Sequence, residues 1–261
     1  TSFDPPRDAL TAISNTKLLL CGLPYHKDQS TSNRTVTTVG DIDPKRFSPY
    51  DHLAYSVSTH GASVYFDGQT GSRLSVPSSS DFNFGTSDWT IDFWWYPKTV
   101  GSSKRSLVDL RTTGTQNVPV IWQHENSYIY YYFAGAFRIT GTNNTIKANR
   151  WHHIAVSRVS NNTRMFINGV QDGSTYSDSN TYVQGSDFFF GRNTNFSAAD
   201  YNPTGYVSDL RVINGTGLYS SNFTPPTAPV TAVTNTKLLT CNDTPNIFDG
   251  AGKNSSLTLG G

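Results

Sequence analysis

The chain of 261 residues carries a net charge of +1, with 15% charged and 13% aromatic side chains. Near-neutrality excludes the basic face that nucleic-acid binding needs, and no run approaches the ~20 apolar residues of a membrane-spanning helix. One Met, a single Glu (Glu125) and abundant Ser, Thr, Asn and Gly favour an all-β fold over a helical one.

In chain order, the first expected strand is Lys17–Cys21, followed by the alternating run Arg34–Gly40 and a turn-rich connector at Phe47–Asp51. Gly61–Gly68 and Ser72–Pro77 read as a hairpin, with Asp67-Gly68 and Gly71 between the runs. Trp89–Pro97 sets Ile91, Phe93 and Trp95 against Asp92, Trp94 and Tyr96, the pattern of a central strand covered on both faces. Strands are expected at Ser106–Leu110, Val118–Gln123, Tyr128–Phe133, Ala136–Thr140, Arg150–Val159, Thr163–Gly169, Ser186–Asn193 and Gly205–Ile213. Trp151 and Ile154 are expected to pack inward beside Val156, and Asn168-Gly169 is a type I′ turn signal. Short strands at regular spacing predict a sandwich or jelly roll.

The two ends of the chain repeat each other. Between Phe3–Cys21 and Phe223–Cys241, eleven of nineteen positions are identical at an offset of 220 residues. A fixed period of this kind marks a tandem array. Residues 1–10 then read as the end of a preceding repeat and 11–223 as one domain with its core in about 53–223. Residues 224–261 read as a linker and the opening strands of a following repeat. The chain opens on Thr1 without a leader pattern and is expected to be a piece of a longer polypeptide. Cys21 and Cys241 occupy equivalent positions, so they are expected to be buried small hydrophobes rather than disulfide partners.

The ordered motifs SVYFDGQTGSRLSVP, DWTIDFWWYP, NRWHHIAVSR, RMFINGVQDG, FFFGRN and GYVSDLRVINGTGLY cover roughly Tyr55 to Phe223. In that order they resemble laminin-G-like domains of the concanavalin A-like lectin and glucanase group. The flanking NTKLL and FTPPTAP segments resemble tandem laminin-G-like repeats of phage and other viral structural proteins. The resemblance implies an all-β, two-sheet antiparallel jelly-roll sandwich. It also implies one Ca²⁺ at the sandwich rim, held by Asp67 and Asp209 with Gly205 as a carbonyl donor. The alternative is that Asp67 caps its own turn while Asp209 pairs with Arg211 or Arg73.

Glycosidases of this fold group are similar in carrying alternating carboxylates on one strand, as nucleophile and general acid. Here the matching strand holds Asp92 alone, and no strand candidate shows an alternating acidic pair, so no enzymatic activity is expected. His152 and His153 are adjacent in a strand, point to opposite faces and cannot chelate one metal together. For ligand binding, Tyr130 and Tyr132 share one face of their strand, and the polar loop Asn193–Gly205 offers Asn193, Asn195 and Tyr201. Aromatic rings stack on sugar faces, while amides and carboxylates bond hydroxyls; the same tyrosines would equally serve as packing. The expected protein is a non-enzymatic module of an extracellular or virion-surface protein, such as a phage fibre, tail or capsid-surface component. Its expected partners are a glycan or cell-surface polysaccharide and neighbouring repeats or virion proteins; the alternative is a structural spacer.

Overall fold

Side-chain alternation decides the architecture, because each strand places successive residues on opposite faces. A computed structural model describes residues 10–20, 29–32, 34–35, 57–69, 71–101, 103–112, 116–183, 185–192, 201–242 and 258–260. The chain divides into two units, Thr1–Ser56 and Val57–Gly261.

Among the described residues the larger unit begins with a single helical turn, Val57–His60, and continues as fifteen strands. These are β1 (Val64–Asp67), β2 (Arg73–Val76), β3 (Trp89–Pro97), β4 (Arg105–Asp109), β5 (Val120–Gln123), β6 (Ile129–Phe133), β7 (Ala136–Thr140) and β8 (His152–Val159). Then follow β9 (Asn162–Ile167), β10 (Val170–Gln171), β11 (Tyr176–Ser177), β12 (Phe188–Phe190), β13 (Thr204–Asn214), β14 (Thr236–Thr240) and β15 (Thr258–Gly260). One sheet has the order β1-β13-β3-β8-β9-β10, with β11 paired to β9 and β14 to β13. The other runs β15-β2-β12-β4-β5-β6-β7. Every pairing is antiparallel, giving the jelly-roll sandwich expected of the sequence.

The core lies between the sheets. From the first sheet come Trp89, Ile91, Phe93 and Trp95 of β3, Ile154 and Val156 of β8, and Val207, Leu210 and Val212 of β13. From the second come Leu74, Ile121, Tyr131, Phe133, Phe188 and Phe190. Each large apolar side chain buried this way contributes on the order of 1.5–3 kcal/mol. Trp95 Nε1 donates to Gln123 Oε1 at 2.9 Å, and the Tyr131 and Tyr182 hydroxyls meet at 2.6 Å, so the polar ends of buried aromatics are satisfied across the core.

Four details differ from the sequence expectation. First, β1 and β2 do not form a hairpin. β1 pairs with β13 in one sheet and β2 with β12 in the other, so the Asp67–Ser72 segment crosses between sheets. Turn residues report a reversal of the chain, not which strands pair. Second, Trp151 does not join Ile154 and Val156 in the core. An odd-numbered residue falls on the opposite face, and Trp151 packs against Tyr96 with centroids 5.4 Å apart. Third, β14 and β15 are strands of this sandwich, where the sequence had assigned 224–261 to a following unit. Leu238 and Cys241 enter the same core as β3. Fourth, Lys17–Leu20 is not a strand. In the smaller unit Gln29 N–H donates to Leu19 O at 2.8 Å, and Arg34 Nε donates to Lys17 O at 3.1 Å. The strand expected at 34–40 and the connector at 47–51 fall largely or wholly outside the described residues.

The Asn168-Gly169 turn forms as expected, with φ of 51° and 78° at its two central residues. Glycine is required at the second for another reason as well: a Cβ there would lie 2.0 Å from Phe223 O.

Candidate functional site on the outer face of the second sheet

Register brings the outer face of the second sheet together. One row across it runs Ser75, Phe189, Asp109, Val120, Tyr132 and Phe137. The next row holds Ser106, Trp122, Tyr130 and Thr140. Val120, Trp122 and Tyr130 form a second apolar cluster separate from the main core, with Tyr128 and Tyr132 packed against it. Tyr130 and Tyr132 therefore face away from the sandwich interior, while Ile129, Tyr131 and Phe133 are the packing set.

The rings form a continuous aromatic cluster. Trp122 and Tyr132 lie nearly parallel, 14° apart with centroids at 5.7 Å. His124 stacks on Tyr128 at 4.5 Å, and Tyr130 meets Phe137 edge-on at 4.6 Å. The Arg111 guanidinium sits 4.9 Å from the Trp122 ring centroid and 5.3 Å from that of Tyr132. Its charge is matched by Asp109, which accepts from Arg111 Nε at 2.9 Å and from Nη2 at 2.7 Å. Such a bidentate pair fixes the guanidinium plane.

Two polar atoms of this aromatic cluster are buried without a hydrogen-bond partner among the described residues: the Tyr130 hydroxyl and Trp122 Nε1. Burial, with Tyr128 and Tyr201 nearby, pushes the Tyr130 hydroxyl above the usual tyrosine range, so it remains a protonated donor. An unsatisfied buried donor costs about 1–3 kcal/mol, and folds retain such groups where they have another use. Of the sequence-chosen ligand residues, Tyr130 and Tyr132 lie on this face, and Tyr201 acts electrostatically on Tyr130. Asn193 and Asn195 lie outside the described residues. Trp122, Arg111 and Asp109 were not singled out from sequence, because only strand register places them beside Tyr130 and Tyr132.

The expected calcium set does not assemble. Asp67 pairs with Thr204 at one end of the β1–β13 ladder, and its Oδ1 accepts from Gln69 N–H at 2.9 Å, the turn-capping role. Asp209 lies five positions further along β13, on the order of 16 Å by the rise of a strand. It sits at a bulge with φ of 54°, where it accepts from Val230 N–H and the Ser208 hydroxyl at 2.9 and 3.0 Å. Burial raises its pKa, against the lowering effect of those two bonds. Gly205 is needed for close packing, since a Cβ would fall 2.2 Å from Tyr96 O. These three residues do not fit one Ca²⁺ shell, which needs six to eight oxygens at about 2.3–2.6 Å. No group of three His, Cys, Asp or Glu suited to a metal occurs among the described residues.

Asp92 is a structural residue on the outer face of the first sheet. Arg211 donates to it through Nε at 3.0 Å and Nη2 at 2.8 Å, and the Tyr219 hydroxyl donates at 2.9 Å. The stacked rings of Tyr219 and Phe223, 3.7 Å apart, lie against His153 and seal this cluster. His152 and His153 point to opposite faces; His152 Nε2 meets Lys147 N and O, while His153 packs on Trp94.

Two antiparallel sheets packed around one core make a jelly-roll sandwich. The profile described as concanavalin A-like lectin/glucanases superfamily, of the laminin-G type, matches residues 70–216, and the chain belongs to that superfamily. No curated protein sequence matches the chain. Among solved structures, a candidate carbohydrate-binding protein from Bacteroides ovatus is similar at a TM-score of 0.56 and 15% identity, over 77% of this chain. The chain spans 60% of that protein's length. Domains LG4-5 of the mouse laminin alpha1 chain match at a TM-score of 0.44 and 14% identity, over 66% of this chain and 46% of that one. Domain 4 of AbnA, a GH43 extracellular arabinanase from Geobacillus stearothermophilus, was solved with arabinotriose. It matches at a TM-score of 0.45 and 16% identity, over 60% of this chain and 72% of that one. At these identities the likeness is one of fold. Among the described residues no helix is long and apolar enough to cross a membrane.

Proposed function

We propose that Val57–Gly261 is a non-catalytic glycan-binding module of an extracellular or virion-surface protein, presented in series with units of its own kind. The observation that carries this reading is the outer aromatic face, where the Tyr130 hydroxyl and Trp122 Nε1 are buried and unpartnered beside the Trp122–Tyr132 pair. Rings supply the apolar faces a pyranose stacks on, and the two donors await ligand hydroxyls. Tyr132 and Phe137, the more accessible rings, flank the approach to them. The Asp109–Arg111 pair leaves the face without net charge there, which suits a neutral glycan better than an anionic one. Both Asp109 oxygens are taken by Arg111, and Asp92 is sealed under Tyr219, which supports binding without hydrolysis. The fold likeness to the candidate carbohydrate-binding protein of Bacteroides ovatus is consistent with this reading. Weak sites carried in series gain on the order of 10²–10⁴ in avidity when geometry permits.

The test is a glycan array of neutral and acidic polysaccharides, followed by calorimetry on any hit with Trp122→Ala and Tyr132→Ala. Each variant is expected to lose about tenfold or more in affinity with the fold intact by circular dichroism. Silence of the parent protein on the array, or undiminished binding by both variants, would refute the proposal and leave the spacer reading.

A further inference from the structure

The leading segment carries a second copy of β14, and the structure shows what β14 does. In the larger unit β14 pairs with the second half of β13, Leu210–Ile213, while β1 pairs with the first half. Leu238 is fully buried, Asn214 N–H donates to Asn235 O at 3.1 Å, and Lys237 Nζ reaches Asp81 at 3.1 Å. β14 is thus the strand that closes the sheet.

The copy at Thr11–Cys21 repeats the turn that leads into β14. Asn15 and Asn235 both have φ of 69°. Thr16 N–H donates to Ile13 O at 3.0 Å, as Thr236 N–H does to Val233 O. Ile13 N–H donates to Thr16 Oγ1 at 2.9 Å, as Val233 N–H does to Thr236 Oγ1. Side-chain burial, however, is opposite. Leu18 is 55% exposed where Leu238 is 0%, and Leu20 is 36% exposed where Thr240 is 0%. The likeness also extends to the last strand: Thr38-Val39-Gly40 stands opposite Thr258-Leu259-Gly260 of β15 at the same offset.

We propose that Thr11–Cys21 becomes the closing strand of a second laminin-G-like sandwich, its leading turn preformed for an edge like the one β13 offers to β14. The occupant of the segment's apolar side is that second sandwich, because eight of its eleven residues are those of Thr231–Cys241, whose strand β14 the edge of β13 buries. Its exposed Leu18 and Leu20 suit addition to a sheet edge. This moves the repeat joint from before the duplicated line to after it: the line ends a unit rather than starting one. The inference is independent of the glycan reading, and failure of either leaves the other standing.

Two measurements test it on the full chain. Only three residues separate the copies, so V233I/T234S/T240L gives β14 the leading segment's sequence. Its thermal midpoint is expected within about 5 °C of the parent, the cost of one buried size change; loss of the folded state or a drop beyond about 10 °C overturns the proposal. In the second, a fluorescent Leu10–Cys21 peptide is titrated against the chain carrying Leu238→Ala, whose own closing strand is weakened. Saturable binding is expected, about tenfold or more tighter than for the same peptide with Leu18→Asp. A Val230–Cys241 peptide that binds while the Leu10–Cys21 peptide does not would overturn the proposal; if neither binds, the graft decides.

Discussion

At the scale of single residues, the revealing groups are those that local packing leaves at a cost. The Tyr130 hydroxyl is buried and unpartnered among the described residues, so Tyr130→Phe should remove a penalty of about 1 kcal/mol. Calorimetry should find the midpoint raised by about 2–4 °C, with affinity for a glycan hit lowered. A stabilised variant that binds fully would detach Tyr130 from the site. Asp209 tells a similar story in charge. Burial holds its folded pKa above the ordinary value of 3.8, so its contribution favours the fold below that pH and is lost as pH rises through the folded value. Asp209→Asn keeps an acceptor for Val230 N–H and tolerates the positive φ. Its midpoint should exceed the parent's at about pH 7, and the difference should vanish by about pH 3.5. A gap independent of pH would mean that the carboxylate charge is not the cause.

At the scale of elements, the pair β3–β13 holds the first sheet together, and its bulge decides which side chains meet. The register shift between Ser208 and Arg211 turns Leu210 and Val212 inward and sets Arg211 opposite Asp92. Desolvation alone would raise the Asp92 pKa, but the bonds from His153 and Arg211 hold it below the ordinary 3.8. A lowered carboxylate contributes stability that is present above 3.8 and lost as pH falls through the folded value. Asp92→Asn should cost about 3 kcal/mol at neutral pH, because Arg211 stays buried without its counter-charge. Denaturant titration would show the loss, and glycan affinity should not change, since the cluster is on the other sheet. Lost binding with unchanged stability would move the site to the first sheet. Much of this element level was legible in the sequence: Trp89–Pro97 was expected as a covered central strand, and Tyr128–Phe133 as two opposed sets. Which of the two sets faced outward was not, because periodicity gives two faces without naming the inner one.

At the scale of the whole molecule, the last strands close both sheets, so integrity of the ends reports integrity of the core. Cys241 is buried beside Leu238, and burial pushes its thiol up to about 12. In a Cys21→Ser background its alkylation should therefore follow global unfolding, with rates tracking denaturant stability. Rapid labelling under native conditions would show that β14 detaches locally. Sequence by itself determined the all-β class, the two-faced strands, the Asn168-Gly169 turn and the 220-residue repeat, since composition, alternation and turn chemistry are properties of neighbours along the chain. Only the tertiary structure decided that Tyr130 and Tyr132 share a face with Trp122 and Arg111, and that Asp67 and Asp209 stand apart. It alone decided that the second NTKLL line, Asn235–Leu239, runs into a strand of this sandwich. The physical reason is the same in each case: strand register and sheet membership are set by hydrogen bonds between segments distant in sequence, and no local pattern encodes them.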